Sequence, residues 1–284
     1  MIEDGELRQL RTLAKMREKI QRWNTGTKHR LAAVLDDYFP ELKGIFWSMK
    51  AKGLWAILER CPYPKDVLKL TVEEITEIIA KSSRRKGEAR RKAEEVYKGA
   101  QESIGLKYIG IADEYRLKMC LEEIKRSEEE LKRVEIEMRK LLRNIPEAEV
   151  IQSIPGIGII TTAVFLGELG NPKYFKGAKQ IIKYAGYDPK EDDSGKSVGK
   201  KIISKKGRWL LRKYLYFMGM RVVHRNKFFR DYYEKKLEKK NRFGQLLKKK
   251  EALCAVIIKL IKVIFALLRD NKKFTVERPM VVFV

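Results

Sequence analysis

The sequence predicts a mainly α-helical protein, and two observations carry that prediction. Apolar residues recur at three-four spacing over long stretches, as on one face of a helix. Breakers fall between those stretches: Phe39-Pro40, Cys61-Pro62-Tyr63-Pro64, Pro146 and Gly170 each close one periodic run before the next begins. With 284 residues and 44% hydrophobic content the chain can bury one large core or two small ones, so two or three helical subdomains are expected.

From Glu6 to Tyr38 the apolar positions Leu7, Leu10, Leu13, Ala14, Ile20, Leu31, Val34 and Leu35 predict one long helix, or two with a break at Asn24–Thr27. Phe39-Pro40 ends it, because the residue before a proline is pushed out of helical geometry. A second helix is expected over Trp47–Arg60. Thr71-Val72-Glu73-Glu74 has the spacing of a capping box, so another helix should start there. The cluster Arg84, Arg85, Lys86, Arg90, Arg91 and Lys92 reads either as a phosphate contact or, more commonly, as a solvated helix face. Between Glu114 and Ile145 a seam of Leu117, Leu121, Ile124, Leu131, Val134, Met138, Leu141 and Ile145, broken once by Glu128, fits a coiled coil or a long two-helix arm.

After Pro146, a short helix leads into Ile154-Pro155-Gly156-Ile157-Gly158. Two glycines in four residues allow a sharp turn and a close approach to a ligand. Two readings stay open: a helix-hairpin-helix whose second helix offers its N-terminal amides to a DNA phosphate, or a plain tight turn between packed helices. Ile159–Leu169 is nearly all apolar and so should be buried, and Ala178–Ala185 is a further short helix. The next 22 residues, Gly186 to Gly207, hold four glycines and little apolar content. A connection that long inside a compact domain is functional or disordered. Arg208–His224 returns to an amphipathic helix offering Arg208, Arg212, Arg221 and Arg225 to phosphates. Phe228, Phe229, Tyr232 and Tyr233 are base-stacking or, more often, core aromatics. Ala252–Leu268 is a final buried helix.

Charge narrows the partner class. Against 38 Asp and Glu stand 63 Lys and Arg, a formal net charge of +25, and residues 195–250 alone hold 20 Lys or Arg with 3 Asp or Glu. A single-sign excess of this kind points to a polyanion, above all nucleic acid; a thermostable surface would balance its signs. Cys61, Cys120 and Cys254 are far apart, and His29 and His224 are isolated, which supports neither a zinc site nor a disulfide framework. With no secretory signal pattern and no apolar run long enough to span a bilayer, a cytoplasmic location off the membrane is expected.

Ser194 is the candidate nucleophile. A serine hydroxyl needs a base or a metal to take its proton and cations to stabilise charge on the attacked phosphate. Lys196, Lys200, Lys201, Lys205, Lys206 and Arg208 supply cations around it, while Asp192 and Asp193 read as proton acceptors or as turn formers.

The order of features resembles the DEDD-class insertion-sequence transposases, the group that includes the pilin-gene invertases and the recombinases guided by a bridge RNA. The similarity runs through Leu7–Leu13, Tyr38–Leu42, Pro64–Ile75, Ile154–Gly158, Tyr184–Pro189, Asp193–Gly195 and Ile203–Gly207. It implies that Ser194 attacks DNA and becomes covalently linked to it. It also implies an RNase-H-like domain whose four acidic residues hold Mg²⁺, expected to lie outside this chain, and hence no cofactor within it. The expected architecture is a helical linker over residues 1–112, a coiled-coil arm over 113–146 and an α-helical transposase domain with a helix-hairpin-helix-like turn over 147–284. The expected partners are DNA held by Gly156, Gly158, Lys196, Lys200, Lys201, Lys205, Lys206, Arg208 and Arg212, a guide RNA, and a second copy joined through the coiled coil. The alternative is a non-catalytic nucleic-acid-binding remnant or an inhibitor of the transposase.

Overall fold

The structure is a computed structural model that describes residues 5–82, 86–191, 201–240 and 244–275. Its elements in chain order begin with α1 (Gly5–Tyr38), α2 (Glu41–Phe46), α3 (Lys52–Arg60), α4 (Pro64–Val67), α5 (Val72–Ser82), α6 (Ala89–Gln101) and α7 (Ile111–Leu142). They continue with α8 (Pro146–Gln152), α9 (Ile159–Leu169), α10 (Ala178–Ala185), β1 (Pro189–Glu191), β2 (Lys201–Ile203), α11 (Trp209–Arg225), α12 (Lys227–Leu237) and α13 (Lys249–Asp270). The mainly α-helical expectation holds. Two compact units result: Lys19–Leu131, and Met1–Glu18 together with Lys132–Val284.

The Lys19–Leu131 unit gathers Leu31, Leu35, Phe39, Leu42, Leu54, Ile57, Ile75, Val96 and Ile124 into one core. Tyr38 and Tyr63 meet edge-on there, 5.9 Å between centroids. The capping box at Thr71 is present: the Thr71 amide donates to Glu74 Oε2 at 2.7 Å and the Glu74 amide donates back to Thr71 Oγ1 at 3.2 Å. The helix expected over Trp47–Arg60 starts later, at Lys52, because Trp47 takes a left-handed conformation (φ 42°) that closes α2.

The break considered at Asn24–Thr27 does not occur; α1 is continuous. These polar residues face α7, where Asn24 Nδ2 donates to Ser127 Oγ at 2.6 Å and Thr27 Oγ1 donates to Glu123 Oε2 at 3.1 Å. Arg30 joins the same carboxylate at 2.7 Å. Glu128, which interrupts the α7 seam, is ion-paired to Lys28 at 2.7 Å. Within this unit, therefore, the seam expected to pair two copies has α1 of its own chain as its partner.

In the other unit α9 is the most buried helix, with Thr162 to Leu169 all inaccessible. It packs on α8 and α11, while α13 is packed by α8, α10, α11 and α12. Phe229 is fully buried, and Phe228 lies edge-on to it at 5.1 Å under the Lys259 ammonium. These aromatics serve the core. Among the described residues no helix is long and apolar enough to cross a membrane.

Candidate functional site

The site is built on the turn that ends α10. Gly186 caps that helix in the left-handed region (φ 74°, ψ 28°), and the Tyr187 amide reaches back to the Ile182 carbonyl at 2.9 Å. This satisfies carbonyls that a helix end leaves without partners. The chain then enters β1, which pairs antiparallel with β2 in the register Pro189↔Ile203, Lys190↔Ile202 and Glu191↔Lys201. Residues 192–200 connect these strands. Ser194, Lys196 and Lys200, with Asp192 and Asp193, lie outside the described residues, as does the side chain of Lys201.

The returning limb is laced to the outgoing one. The Ser204 amide donates to the Asp188 carbonyl at 2.8 Å, Lys205 to Gly186 at 3.1 Å, and Arg208 to Tyr184 at 3.0 Å. Gly207 has φ 135°, and a Cβ there would stand 2.4 Å from the Tyr184 carbonyl oxygen. Only a residue without a side chain lets the limbs approach this closely.

Arg208 precedes α11 and points inward. Its Nε donates to Glu168 Oε2 at 2.8 Å, its Nη1 donates to the Tyr184 hydroxyl at 3.1 Å, and its guanidinium lies 5.7 Å from the Tyr184 ring centroid. Burial works against the guanidinium's charge, yet the bond and charge of Glu168 hold its pKa above the ordinary value. Arg212 Nη1 donates to the Ala185 carbonyl at 3.2 Å, while the Arg212 carbonyl accepts from the Tyr187 hydroxyl at 3.1 Å. Tyr187 is inaccessible, and burial pushes its phenol well above the usual range. Arg208 and Arg212, two of the four arginines expected to meet phosphate, therefore bond to the protein's own scaffold. Lys205 and Lys206 are exposed and remain available to an anion.

Sequence reasoning missed Glu168 and Tyr184. The signal for Glu168 was a single carboxylate inside an otherwise apolar helix, since a buried carboxylate requires a cation.

The turn between α8 and α9 separates the roles of its two glycines. Gly156 has φ 103°, and a Cβ would lie 2.9 Å from the Arg221 carbonyl oxygen and 3.1 Å from Arg225 Cβ, so this glycine lets the turn sit on α11. Gly158 is exposed, extended (φ −97°, ψ 165°) and caps α9, where its carbonyl accepts from the amide of Thr162 at 3.0 Å. Nothing lies within 4 Å of the position its Cβ would take. The first amides of α9 have no acceptor in their own helix, as at any helix start. Arg221 and Arg225, both exposed, stand on the helix that carries this turn. Among the described residues no group of three or more His, Cys, Asp or Glu side chains is arranged to hold a metal ion.

A family model described as the transposase IS116/IS110/IS902 family matches residues 148–234, which span the α8–α9 turn, the strand pair and α11. An insertion element IS116 protein of Streptomyces clavuligerus is 27% identical over 256 residues, 89% of this chain and 61% of that protein. An insertion element IS110 protein of Streptomyces coelicolor is 22% identical over 257 residues, 90% of this chain and again 61% of its own length. The pilin gene-inverting protein of Moraxella bovis is 30% identical over 128 residues, 45% of this chain and 38% of its own. The chain thus spans about 61% of the length of the insertion-element proteins it matches. Over residues 148–234 the chain is thus similar to the IS116/IS110/IS902 family of insertion-sequence transposases, and over most of its length to insertion-element proteins.

Proposed function

We propose that the chain binds DNA and takes part in cleaving and exchanging its strands, with Ser194 as nucleophile. The Ser194 hydroxyl attacks a DNA phosphodiester, forming a phosphoserine bond while the departing strand leaves with a free hydroxyl. A second strand end then displaces the serine and restores the diester. Nucleophile and phosphate both need nearby positive charge, and Lys196, Lys200 and Lys201 flank Ser194 in sequence while exposed Lys205 and Lys206 lie on the returning limb. The metal implied by the family resemblance, Mg²⁺, is assigned to no residue of this chain; it would polarise the attacked phosphate. DNA is held without base reading by the α9 N-terminus at Gly158 and by Arg221 and Arg225.

The observation that carries this reading is the lacing of the two limbs. Hydrogen bonds from Ser204, Lys205 and Arg208, together with the Gly207 approach, fix both ends of the connection that contains Ser194. Catalytic groups are commonly borne on connections whose ends a rigid scaffold holds. The test is strand exchange on DNA carrying the element's ends, with the RNase-H-like domain that the resemblance implies supplied. Ser194→Ala is expected to abolish exchange while leaving DNA binding intact. Exchange at the wild-type level in that variant overturns the reading, and an inactive wild type that still binds DNA favours a non-catalytic nucleic-acid-binding role.

A further inference from the structure

The Lys19–Leu131 unit contains a cavity of about 700 Å³ remote in sequence from Ser194, walled by Lys28, Lys50, Lys52, Lys81, Lys125 and Trp55. Its two carboxylates are already neutralised: Glu128 is paired with Lys28 at 2.7 Å and Glu59 with Lys125 at 2.9 Å. Lys81 makes only an exposed pair with Glu77 at 3.3 Å, a contact of little energetic weight. Lys50 and Lys52 are exposed and make no ion pair among the described residues. The cavity therefore presents positive charge from three of its lining lysines that no carboxylate of its lining offsets.

Trp55 adds a second kind of group. Its indole N–H is spent on the Met49 carbonyl at 3.0 Å, so what it offers the cavity is its ring. An aromatic ring among ammonium groups is how proteins hold unpaired nucleotides, with the base on the ring and the phosphates on the cations. The volume falls within the roughly 300–1,000 Å³ typical of sites that enclose one small ligand, which suits one or two nucleotides rather than a duplex.

The geometry points to a binding site for single-stranded polynucleotide in this cavity, with a base against Trp55 and phosphates on Lys50, Lys52 and Lys81. The inference goes beyond the proposed strand exchange and does not depend on Ser194.

The test measures fluorescence anisotropy of the whole chain with a short labelled single strand, made as DNA and as RNA, and with the matching duplex, over a salt series. The variant Lys50→Glu/Lys52→Glu is compared with Lys98→Glu/Lys118→Glu, which makes the same charge change on exposed helix positions of the same unit. The cavity pair is expected to weaken single-strand binding and to lower the salt slope by about 1.4, two single-strand phosphate contacts at about 0.7 each. The control pair is expected to change the slope far less. Wild type should also prefer a normal strand over one with abasic sites by about tenfold, and Trp55→Ala should erase that preference. A loss confined to DNA or to RNA identifies the natural strand, and a loss on both supports the site equally. Equal slopes for the two charge variants, or no preference for bases over abasic sites, overturns it. Because these readings measure equilibrium binding and the proposed function is read by strand exchange, failure here is distinguishable from failure of the strand-exchange proposal.

Discussion

Glu168, buried in the apolar helix α9, accepts a hydrogen bond from Arg208 at 2.8 Å across 40 residues of sequence. The strand pair that frames Ser194 lies between these two residues in sequence. Arg208 is thereby a brace, and its loss should be felt as instability before it is felt as weaker DNA binding. Arg208→Ala leaves a buried carboxylate without its cation, which costs about 3–5 kcal/mol. Urea denaturation should show this loss for Arg208→Ala and a smaller one for Arg208→Lys. Arg221→Ala and Arg225→Ala, at exposed positions, should unfold as wild type does but bind DNA less tightly. Equal stability of Arg208→Ala and wild type would remove the brace from the account.

Gly207→Ala should act on the same place through the backbone. A side chain at φ 135° costs about 1–3 kcal/mol, and the new Cβ would overlap the Tyr184 carbonyl at 2.4 Å. The expected outcome is a lower denaturation midpoint together with lost strand exchange. Unchanged stability would mean that the limbs are not held together as described.

The two glycines of the α8–α9 turn should separate in the same kind of measurement. Gly156→Ala meets the Arg221 carbonyl and a positive φ and should destabilise by about 1–3 kcal/mol. Gly158→Ala enters open space at an ordinary backbone conformation and should cost about 1 kcal/mol or less. If both variants lose the same stability, the assigned division of roles is wrong.

Acid should weaken the Lys19–Leu131 unit. Glu74 sits below the usual carboxylate range because the Thr71 amide and hydroxyl donate to it, and Asp113 because the Tyr38 hydroxyl and the Gly110 amide do. Glu123 is also lowered: burial opposes its charge, but bonds from Thr27 and Arg30 outweigh it. Carboxyls depressed in the folded state take up protons more readily when unfolded, so their contribution is complete above about pH 5 and is lost as pH falls through their folded values. Urea midpoints between about pH 3 and pH 6 should show a shallower acid decline for Glu74→Gln/Asp113→Asn than for wild type. Parallel declines would contradict the assignment.

Much of the fold was legible because amphipathic periodicity and capping chemistry are local. The Thr71–Glu74 box and the nearly all-apolar α9 could be read directly from residue spacing. Whether α1 broke at Asn24–Thr27 could not be decided locally, since those polar groups look like a helix end until Ser127 and Glu123, about 100 residues away, supply their partners. Trp47 gave no sign of a left-handed turn, because a large aromatic is a poor candidate for positive φ. The strand pair was illegible for another reason: three residues a side are too few to display an alternating pattern. At the site, charge clustering drew attention to Arg208 and Arg212, but composition cannot distinguish a cation facing DNA from one facing a buried carboxylate. Ser194 stood out through its resemblance to a family, since a serine between aspartate and glycine has no periodicity to betray a role.

The central claim is a covalent bond between Ser194 and DNA, and mass spectrometry of the trapped adduct tests it most directly. DNA carrying the element's ends is incubated with the protein, an RNase-H-like domain supplied from an insertion-element relative and Mg²⁺, the mixture is denatured and digested, and the nucleotide-bearing peptide is sequenced. The account predicts a phosphodiester-linked nucleotide on Ser194 and no adduct in Ser194→Ala. An adduct on another residue, or one that persists in Ser194→Ala, would contradict it.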